Sequence, residues 1–296
     1  MKIYREKCRL CGEPSKLELG HIAPSFVIKY LKNTSITGYM RRSDEPNITF
    51  QDGEKHPLFC RNCENKFSSD ENYFAKEVFF PYHKRILGPI KYDYRLGRFC
   101  ILQAFRKIVY NEVITNKLSI YKPTIRKRLI KARDFFREFL MVGGKTQNEY
   151  SNHIIFANLI DNVGSNMPQL PPNINMYLTR SVDTAIVYSE KNKLFIYNKL
   201  CKIMILTFIT PRKPRDYEGT RIYGAGTLNP SRCDITLPVS ILHFWIDRAL
   251  KVNESQEKLT NAQQELIIKR FLKNEDRILN SECTEAHLAD EKLQSN

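Results

Sequence analysis

The sequence has 296 residues, of which 42% are hydrophobic and 17 are phenylalanine, so it can bury a sizeable core and is not a disordered tail. No uninterrupted apolar run approaches the roughly 18 residues of a membrane-spanning helix, and the first residues lack the apolar segment of a signal peptide. We therefore expect a soluble, cytoplasmic protein that does not contact a membrane, and the formal net charge of +15 makes a polyanion a candidate partner.

Two Cys-x-x-Cys pairs near the N-terminus carry the strongest chemical signal in the chain. Their members are Cys8, Cys11, Cys60 and Cys63. Each pair places two sulfurs on one tight turn, and two such turns complete the tetrahedral thiolate shell of structural Zn²⁺. The alternative is disulfide bonding, but the other four cysteines are scattered, and a reducing compartment favours metal binding over cross-linking. We predict a four-cysteine zinc site.

The segment that contains these pairs has the pattern of a small mixed module. Leu17–Ile22 alternates apolar and polar residues as a strand does, which places His21 at the strand end. Phe67, Phe74 and Val78 recur on one face of a helix. The predicted elements are a strand that Pro24 ends, a helix over Ser25–Leu31, a hairpin or loop from Lys32 to Glu54, and a helix over Glu64–Phe80 that Pro81 ends. This order of turn, hairpin, turn and helix is that of a treble-clef zinc finger.

The positive charge is concentrated in the middle of the chain. Residues 81–150 contain 16 Lys and Arg residues against 5 Asp and Glu residues, and helices are predicted over Tyr94–Asn111 and Ile125–Val142. The second helix carries the candidate phosphate-contacting residues Arg126, Lys127, Arg128, Lys131, Arg133 and Arg137. We predict that this surface binds nucleic acid, and the alternative is a solvated basic face that only aids solubility.

The C-terminal half changes to strand patterns. Apolar and β-branched runs predict an antiparallel meander packed against helices, with strands over Ser181–Tyr188, Leu194–Tyr197 and Ile203–Ile209. Amphipathic helices are predicted over Leu237–Leu250 and Gln256–Leu279, and the polar residues from Asn280 are expected to fray. The predicted α+β protein thus has a zinc module at residues 1–80, a basic helical region at 81–150, and a C-terminal domain of antiparallel strands and helices at 151–296.

The N-terminal quarter resembles the HNH endonucleases, the zinc-containing branch of the ββα-metal nucleases. The resemblance consists of Cys8-Arg-Leu-Cys11, Gly20-His21-Ile22-Ala23-Pro24 and Leu58-Phe59-Cys60-Arg-Asn-Cys63-Glu64. In that family a Cys-x-x-Cys pair precedes a strand that ends in Asp-His-Ile-x-Pro, and a second pair is followed directly by a metal-binding residue on a helix. The order and spacing of the motifs match, and the resemblance covers roughly the first quarter of the chain.

The resemblance implies roles for three side chains. His21 matches the general base that activates water for attack on a phosphodiester, while a divalent cation, Mg²⁺ or Mn²⁺, stabilises the leaving oxygen. Glu64 takes the position of the helix-borne metal ligand, for which a carboxylate is chemically suited. Glu71 is two turns later on the same face and is a candidate second ligand.

Two positions depart from the family pattern. Gly20 stands where the family usually carries a metal-binding Asp, and the central Asn that orients the histidine has no clear counterpart. His56 falls near the place of that Asn, so we include it as a candidate catalytic residue. The other possibility for His21 is that it satisfies a local carbonyl, and for Glu64 that the helix dipole favours an acid at a helix start.

Three hypotheses follow from the sequence. The first is a metal-dependent HNH-like endonuclease that acts on double-stranded DNA, in a setting such as bacterial or phage antiviral defence, where stand-alone nucleases of this layout often serve. The second is a non-catalytic zinc-finger protein with a DNA-binding or regulatory role. The third is a zinc-stabilised protein-interaction adaptor. In each case the C-terminal domain is expected to bind a second copy of the chain or a partner protein.

Overall fold

The computed structural model describes residues 6–86, 88–143, 150–161, 168–188, 193–210, 217–231, 238–278 and 281–295, and these form a mixed α+β fold in which all paired strands are antiparallel. The strands are β1 (Glu6–Lys7), β2 (Pro14–Ser15), β3 (Leu17–His21), β4 (Met40–Arg41), β5 (Thr49–Phe50), β6 (Lys55–Cys60), β7 (Ile90–Tyr92), β8 (Ser151–Phe156), β9 (Val182–Tyr188), β10 (Leu194–Leu200), β11 (Ile203–Phe208), β12 (Arg221–Ile222) and β13 (Gly226–Leu228).

The helices alternate with these strands along the chain. They are α1 (Ser25–Asn33), α2 (Arg61–Phe74), a π-helical turn (Ala75–Phe79), α3 (Phe80–His83), α4 (Tyr94–Val113), a 3₁₀ turn (Lys117–Ile120), α5 (Pro123–Val142), α6 (Ile174–Arg180), α7 (Val239–Glu257), α8 (Asn261–Lys273), α9 (Glu275–Ile278) and α10 (Glu282–Ser295). In the part of the chain that the structure describes, none of these helices is long and apolar enough to cross a lipid bilayer.

A five-stranded sheet of order β12-β8-β11-β10-β9 organises the C-terminal half. Its central strands β10 and β11 are buried along their whole length, so both faces carry apolar side chains. Leu194 and Ile196 pack against residues of α4, whereas Tyr197 and Met204 face α6 and α7. Helix α4 therefore lies between this sheet and the N-terminal elements, which explains why it is buried on nearly all sides.

Strands β3 and β6 position the candidate site. They pair antiparallel, with His21 opposite Lys55 and Gly20 opposite His56, and the register shifts by one residue between Glu18 and Leu19. Strand β6 then runs directly into α2 at Cys60. This connection fixes the first turn of α2 beside the end of β3, because the two strands share a ladder of hydrogen bonds.

The three regions predicted from composition share their hydrophobic cores. One cluster of buried residues joins Leu10 and Phe67 of the N-terminal region to Phe105 and Phe136 of the basic helices and to Ile196 of the sheet. The boundaries at residues 80 and 150 thus do not separate independent cores among the described residues.

The prediction that Pro81 ends the preceding helix was wrong. The helical path continues from α2 through the π-helical turn into α3, which ends at His83. Pro81 lies at the start of α3, where a residue without a backbone N–H is tolerated. The π turn supplies the local change in hydrogen bonding that separates the two α-helical segments.

Two predictions about the C-terminal helices were also wrong. The helix expected over residues 256–279 is interrupted, because Asn47 accepts a hydrogen bond from the backbone of Thr260 (2.8 Å) and donates to the carbonyl of Lys258 (3.0 Å). The tail expected to fray instead forms α10. Asp290 of α10 is buried and accepts hydrogen bonds from the backbone of Asn175 (2.7 Å) and Met176 (3.0 Å) at the start of α6.

Helix α3 ends in a histidine that is buried in its neutral form. The His83 ring stacks on Phe79 at a centroid distance of 4.1 Å, its Nδ1 donates to the Phe79 carbonyl (2.8 Å), and Tyr30 contacts it edge-on at 4.6 Å. Burial lowers the pKa of His83 to about 4, whereas an unfolded histidine titrates near about 6.5. The folded chain therefore binds this proton much more weakly than the unfolded chain does.

This difference predicts a specific pH dependence of stability. The contribution of neutral His83 is fully present above the unfolded pKa and is lost as pH falls toward the folded pKa. We expect His83→Gln to remove about 2 kcal/mol of the decrease in the free energy of unfolding between pH 7 and pH 5. Urea unfolding of both proteins at the two pH values measures the effect, and parallel decreases would contradict it.

Candidate metal centre and acidic cleft

The four predicted zinc ligands converge at the base of the N-terminal module. Cys8 and Cys11 lie on the turn between β1 and β2, which Gly12 closes with a φ of +85° that favours glycine. Cys60 ends β6, and Cys63 lies in the first turn of α2. All four Sγ atoms lie within 4.8 Å of one another, and those of Cys11 and Cys60 are 3.9 Å apart. Tetrahedral zinc separates its sulfurs by about 3.8 Å, so the group is compatible with a structural metal ion.

Backbone N–H groups favour the thiolate form of Cys8. Burial opposes ionisation of Cys8, but hydrogen bonds from the backbone of Cys60, Cys11 and Leu10 lower the pKa of its thiol to about 7. The backbone N–H of Cys60 lies 3.3 Å from the Cys8 Sγ. Burial and the neighbouring thiols raise the pKa of Cys63, as expected when several thiolates crowd together without a cation. A metal ion relieves this repulsion, which couples metal binding to loss of protons.

His21 at the end of β3 is held by a carboxylate that the sequence did not suggest. Its Nε2 lies 2.7 Å from Oδ1 of Asp52. Asp52 also accepts a hydrogen bond from the backbone of Gly53 (2.8 Å) and pairs with Lys55 (2.5 Å). The Lys55 ammonium and the His21 ring hold the pKa of Asp52 well below its usual range. When the Nε2–H of His21 donates a hydrogen bond to this carboxylate, Nδ1 carries no proton and can act as a base.

Gly20 and Glu64 complement each other. A Cβ atom at Gly20 would overlap Oε1 of Glu64 and would lie 3.0 Å from its carboxyl carbon. The Glu64 carboxylate, delivered from the first turn of α2, thus occupies the space that a side chain at position 20 would fill. Where the HNH pattern has an acid on the strand, this chain has a glycine on the strand and an acid on the helix.

The Glu64 carboxylate is only half satisfied. Its Oε2 accepts a hydrogen bond from Nη2 of Arg106 (3.3 Å), but its Oε1 is buried and has no hydrogen-bond partner among the described residues. The other Nη of Arg106 donates to Glu71. Burial raises the pKa of Glu64, the negative charges of Glu71 and Glu18 add to that effect, and Arg106 opposes it. Oε1 can therefore accept a proton or bind a cation.

These side chains line one open cleft of about 400 Å³. It runs between the end of β3 and the first three turns of α2, and α4 contributes Arg106. The lining residues are Glu18, Leu19, Gly20, His21, Ser25, Arg61, Glu64, Asn65, Ser68, Glu71 and Arg106. His21, Glu64 and Glu71 thus line the same cleft, which combines an imidazole with three carboxylates.

Comparisons with known proteins do not assign this chain to a family. The chain matches no family model, no curated protein and no solved structure. The resemblance to HNH endonucleases therefore consists of the motif residues alone. Function must be argued from the arrangement of the side chains in and around the cleft.

His56, the third candidate catalytic residue, is not brought to the cleft. Its Nε2 lies 2.9 Å from Oε1 of Glu54, which also accepts a hydrogen bond from the hydroxyl of Tyr110 (2.7 Å). The rings of His56 and Tyr110 are 5.3 Å apart. This local cluster joins β6 to α4, so His56 contributes to packing between them. The side chain that contacts His21 is Asp52.

The six predicted phosphate-contacting residues all lie on α5, but not all of them are equally accessible. Arg126, Lys127 and Lys131 are exposed, whereas Arg128 and Arg133 are half-buried. Arg133 pairs with Asp134 (2.7 Å) and with Glu112 of α4. The positive charge available on α5 is therefore smaller than the sequence count indicates.

Arg137, the sixth residue, contacts the four-cysteine group. Its Nε donates to the carbonyl of Leu10 (2.5 Å) on the first cysteine turn. A Cβ atom at Gly12 would lie 2.8 Å from its Nη2, so the guanidinium lies directly against that turn. Helix α5 thus packs against the four-cysteine group, and the φ of +85° favours glycine at position 12.

Proposed function

We propose that the protein is a metal-dependent endonuclease of the HNH type that hydrolyses phosphodiester bonds in DNA. The observation that carries the proposal is the arrangement at the end of β3. There His21, which pairs with Asp52, lines the same cleft as Glu64, whose Oε1 has no hydrogen-bond partner among the described residues and fills the space left open by Gly20. A base and an unsatisfied carboxylate oxygen in one open cleft are the two components that metal-assisted hydrolysis requires.

The donor set of the cleft fits a hard divalent cation. Glu64 offers Oε1, Glu71 and Glu18 add carboxylate oxygens nearby, and Mg²⁺ and Mn²⁺ prefer oxygen ligands. The buried oxygen without a hydrogen-bond partner supports the proposal that a cation binds there. When bound, such an ion neutralises charge on the phosphate and on the leaving oxygen.

The chain itself supplies the proton transfer. Asp52 accepts a hydrogen bond from the Nε2–H of His21 and so holds the imidazole in the tautomer whose Nδ1 is basic. Nδ1 then takes a proton from the attacking water, and the Asp52 carboxylate stabilises the imidazolium that results. Lys55 and the backbone N–H of Gly53 keep Asp52 ionised and in place.

In this proposal the metal centre fixes the relative positions of Glu64 and His21. Cys63 immediately precedes Glu64, and Cys60 pairs in register with Leu17 on the strand that carries His21. A zinc ion bound by the four cysteines would therefore fix the corner between β6 and α2. That corner sets the distance between the Glu64 carboxylate and the His21 ring, so zinc serves the chemistry without taking part in it.

One observation favours a second candidate, a non-catalytic zinc-finger protein that binds DNA. Arg106 contacts both Glu64 and Glu71 and so already neutralises part of the acidic charge of the cleft. A fully satisfied cluster of this kind is what a structural role would produce. The unpartnered Oε1 of Glu64 argues for the catalytic role.

Metal-dependent plasmid cleavage separates the two candidates. We expect the zinc-loaded protein to nick supercoiled DNA only with Mg²⁺ or Mn²⁺, and Glu64→Gln to weaken cleavage at limiting Mg²⁺ by at least about 100-fold, because an amide oxygen is a poorer ligand than a carboxylate. Glu77→Gln, an exposed acid further along the same helical path and outside the cleft, is the matched control and should cleave normally. Salt-sensitive DNA binding without cleavage under any metal condition would favour the second candidate.

A further inference from the structure

The two edges of the five-stranded sheet differ in length and in protection. In the order β12-β8-β11-β10-β9, strand β12 has two residues, whereas β9 at the opposite edge has seven and pairs with β10 along its whole length. Natural proteins protect long edges with bulges, prolines or lysines, because unpaired backbone groups there are a template for another strand. Strand β9 contains no bulge, no proline and no lysine.

The hydrogen bonds of the neighbouring strands show which backbone groups of β9 point outward. The N–H of Ile209 donates to the carbonyl of Leu194 (2.9 Å), so even-numbered residues of β10 face β11 and odd-numbered residues face β9. The N–H of Cys201 donates to the carbonyl of Ser181 (3.1 Å) in the same register. Even-numbered residues of β9 therefore direct their N–H and C=O groups away from the sheet, where they have no hydrogen-bond partner among the described residues. These outward residues are Val182, Thr184, Ile186 and Tyr188.

The side chains of β9 do not oppose pairing with a further strand. Asp183 is the only charged residue of β9, and Nε of Arg248 donates a hydrogen bond to its carboxylate (2.6 Å). The Tyr188 side chain is 48% exposed, and its ring contacts the ring of Tyr121 at a centroid distance of 5.5 Å. Ile120, the next residue, is 75% exposed. The edge thus combines outward backbone groups with exposed apolar surface.

We propose that β9 pairs antiparallel with β9 of a second copy of this chain, so that two five-stranded sheets join across a two-fold axis. In the register centred on Ala185 every residue of β9 is paired, and the smallest side chains of the strand meet at the axis. Asp183 then lies opposite Val187 of the partner subunit, so no like charges face each other. This inference does not depend on the proposed function.

A second copy fits this edge better than an unrelated extended peptide. A peptide added to β9 would become the new edge and leave its own outer groups unpaired, whereas self-pairing removes both edges at once. The paired strands would be about 24 Å long and would exchange about eight backbone hydrogen bonds. Tyr188 would lie opposite Val182 of the partner subunit, which adds apolar area to the backbone pairing.

A disulfide across the two-fold axis tests both the contact and its register. The two Ala185 residues would form a non-hydrogen-bonded pair with Cα atoms about 4.5 Å apart, within the range of a disulfide. We expect zinc-loaded Ala185→Cys to form a covalent dimer under mild oxidation, measured by non-reducing electrophoresis. Val187→Cys is the matched control on the same strand and face. Its two copies would lie about 13 Å apart along the strands, so it should cross-link no more than wild type.

Sedimentation of the zinc-loaded protein measures the dimer without a cross-link. Wild type should sediment as a dimer at micromolar concentration. Thr184→Pro removes an outward N–H and leaves the ladder with β10 in place, because proline is tolerated at such positions of an edge strand. It should raise the dimer Kd at least about tenfold, since the change acts twice in a symmetric dimer. If Thr184→Pro does not fold by circular dichroism, Tyr188→Lys replaces it, because an edge lysine also opposes pairing.

Three results would overturn the proposal. The first is a wild type that sediments as a monomer at every concentration. The second is a dimer that is unchanged in the folded edge variant, which would place the contact on another surface. The third is cross-linking of Val187→Cys as strong as that of Ala185→Cys, which contradicts the register. None of these measurements involves cleavage, so the endonuclease proposal stands or fails separately.

Discussion

Replacing Cys60 with serine is expected to abolish zinc binding and to unfold the N-terminal module. Strands β1 and β2 are two residues long, and the β3–β6 ladder is short, so backbone pairing alone contributes little stability here. Structural zinc contributes about 10–16 kcal/mol to the folding of small zinc-finger peptides. Without it, Cys8, Cys11 and Cys63 would be left as crowded thiols around an empty centre.

The effect should extend beyond the module, because Cys60 and Phe59 share a hydrophobic cluster with α4 and α5. Zinc content per chain and hydrogen exchange across β6 and α2 measure the result. Cys100→Ser is the matched control, since Cys100 is equally buried but lies on α4 away from the four-cysteine group. It should keep zinc and lose only about 1–3 kcal/mol of stability from burial of a hydroxyl. A Cys60→Ser protein with full zinc content and unchanged exchange would show that the four cysteines do not form a structural metal site.

Much of the fold near the site follows from local patterns. The alternation over residues 17–22 gives β3, and the apolar faces of residues 94–111 and 125–142 give α4 and α5, with ends close to those observed. The predictions that were wrong concern helices whose ends or stability depend on residues far away in the sequence. Asn47 ends α7 and begins α8 from more than two hundred residues away, and α10 is stable because Asp290 caps α6. Neither contact leaves a trace in the local sequence.

The candidate site divides in the same way. The four cysteines were predictable, because two Cys-x-x-Cys pairs have the spacing that a tetrahedral thiolate shell requires. Asp52 was not predicted, although the antiparallel pairing of β3 with β6 places the residues before Lys55 beside His21, and an Asp-Gly turn there is a usable signal. Arg106 could not have been found, because its contact with Glu64 depends on how α4 packs against α2.

The complementarity of Gly20 and Glu64 shows how a carboxylate can lie at the end of a strand that has no acid at that position. Read as sequence, Gly20 removes an expected acid. Read as structure, the absence of a Cβ atom is the condition for the Glu64 carboxylate to lie at the strand end. A motif search scores the two positions separately, whereas the physical requirement is one carboxylate oxygen in a given space.

Loss of the His21 ring is expected to lower cleavage by about 10²–10⁴-fold, the usual contribution of a general base. His21→Ala removes the base itself and leaves the four cysteines and Glu64 in place. Asp52→Asn should also lower the cleavage rate. The asparagine amide can donate a hydrogen bond to Nε2, and this stabilises the tautomer in which Nδ1 is protonated and cannot accept a proton. Initial rates of plasmid nicking at saturating Mg²⁺ measure both effects.

The double variant decides whether Asp52 acts through His21. If it does, His21→Ala combined with Asp52→Asn should cleave no more slowly than His21→Ala alone, because residues that act as one unit are not additive. Independent roles would instead multiply the two losses. Asp44→Asn provides the control, since Asp44 is an exposed acid in the neighbouring loop between β4 and β5, where it pairs with Arg42 and not with His21. A large loss in Asp44→Asn would mean that the acidic charge of this region, and not the hydrogen bond from His21 to Asp52, supports cleavage.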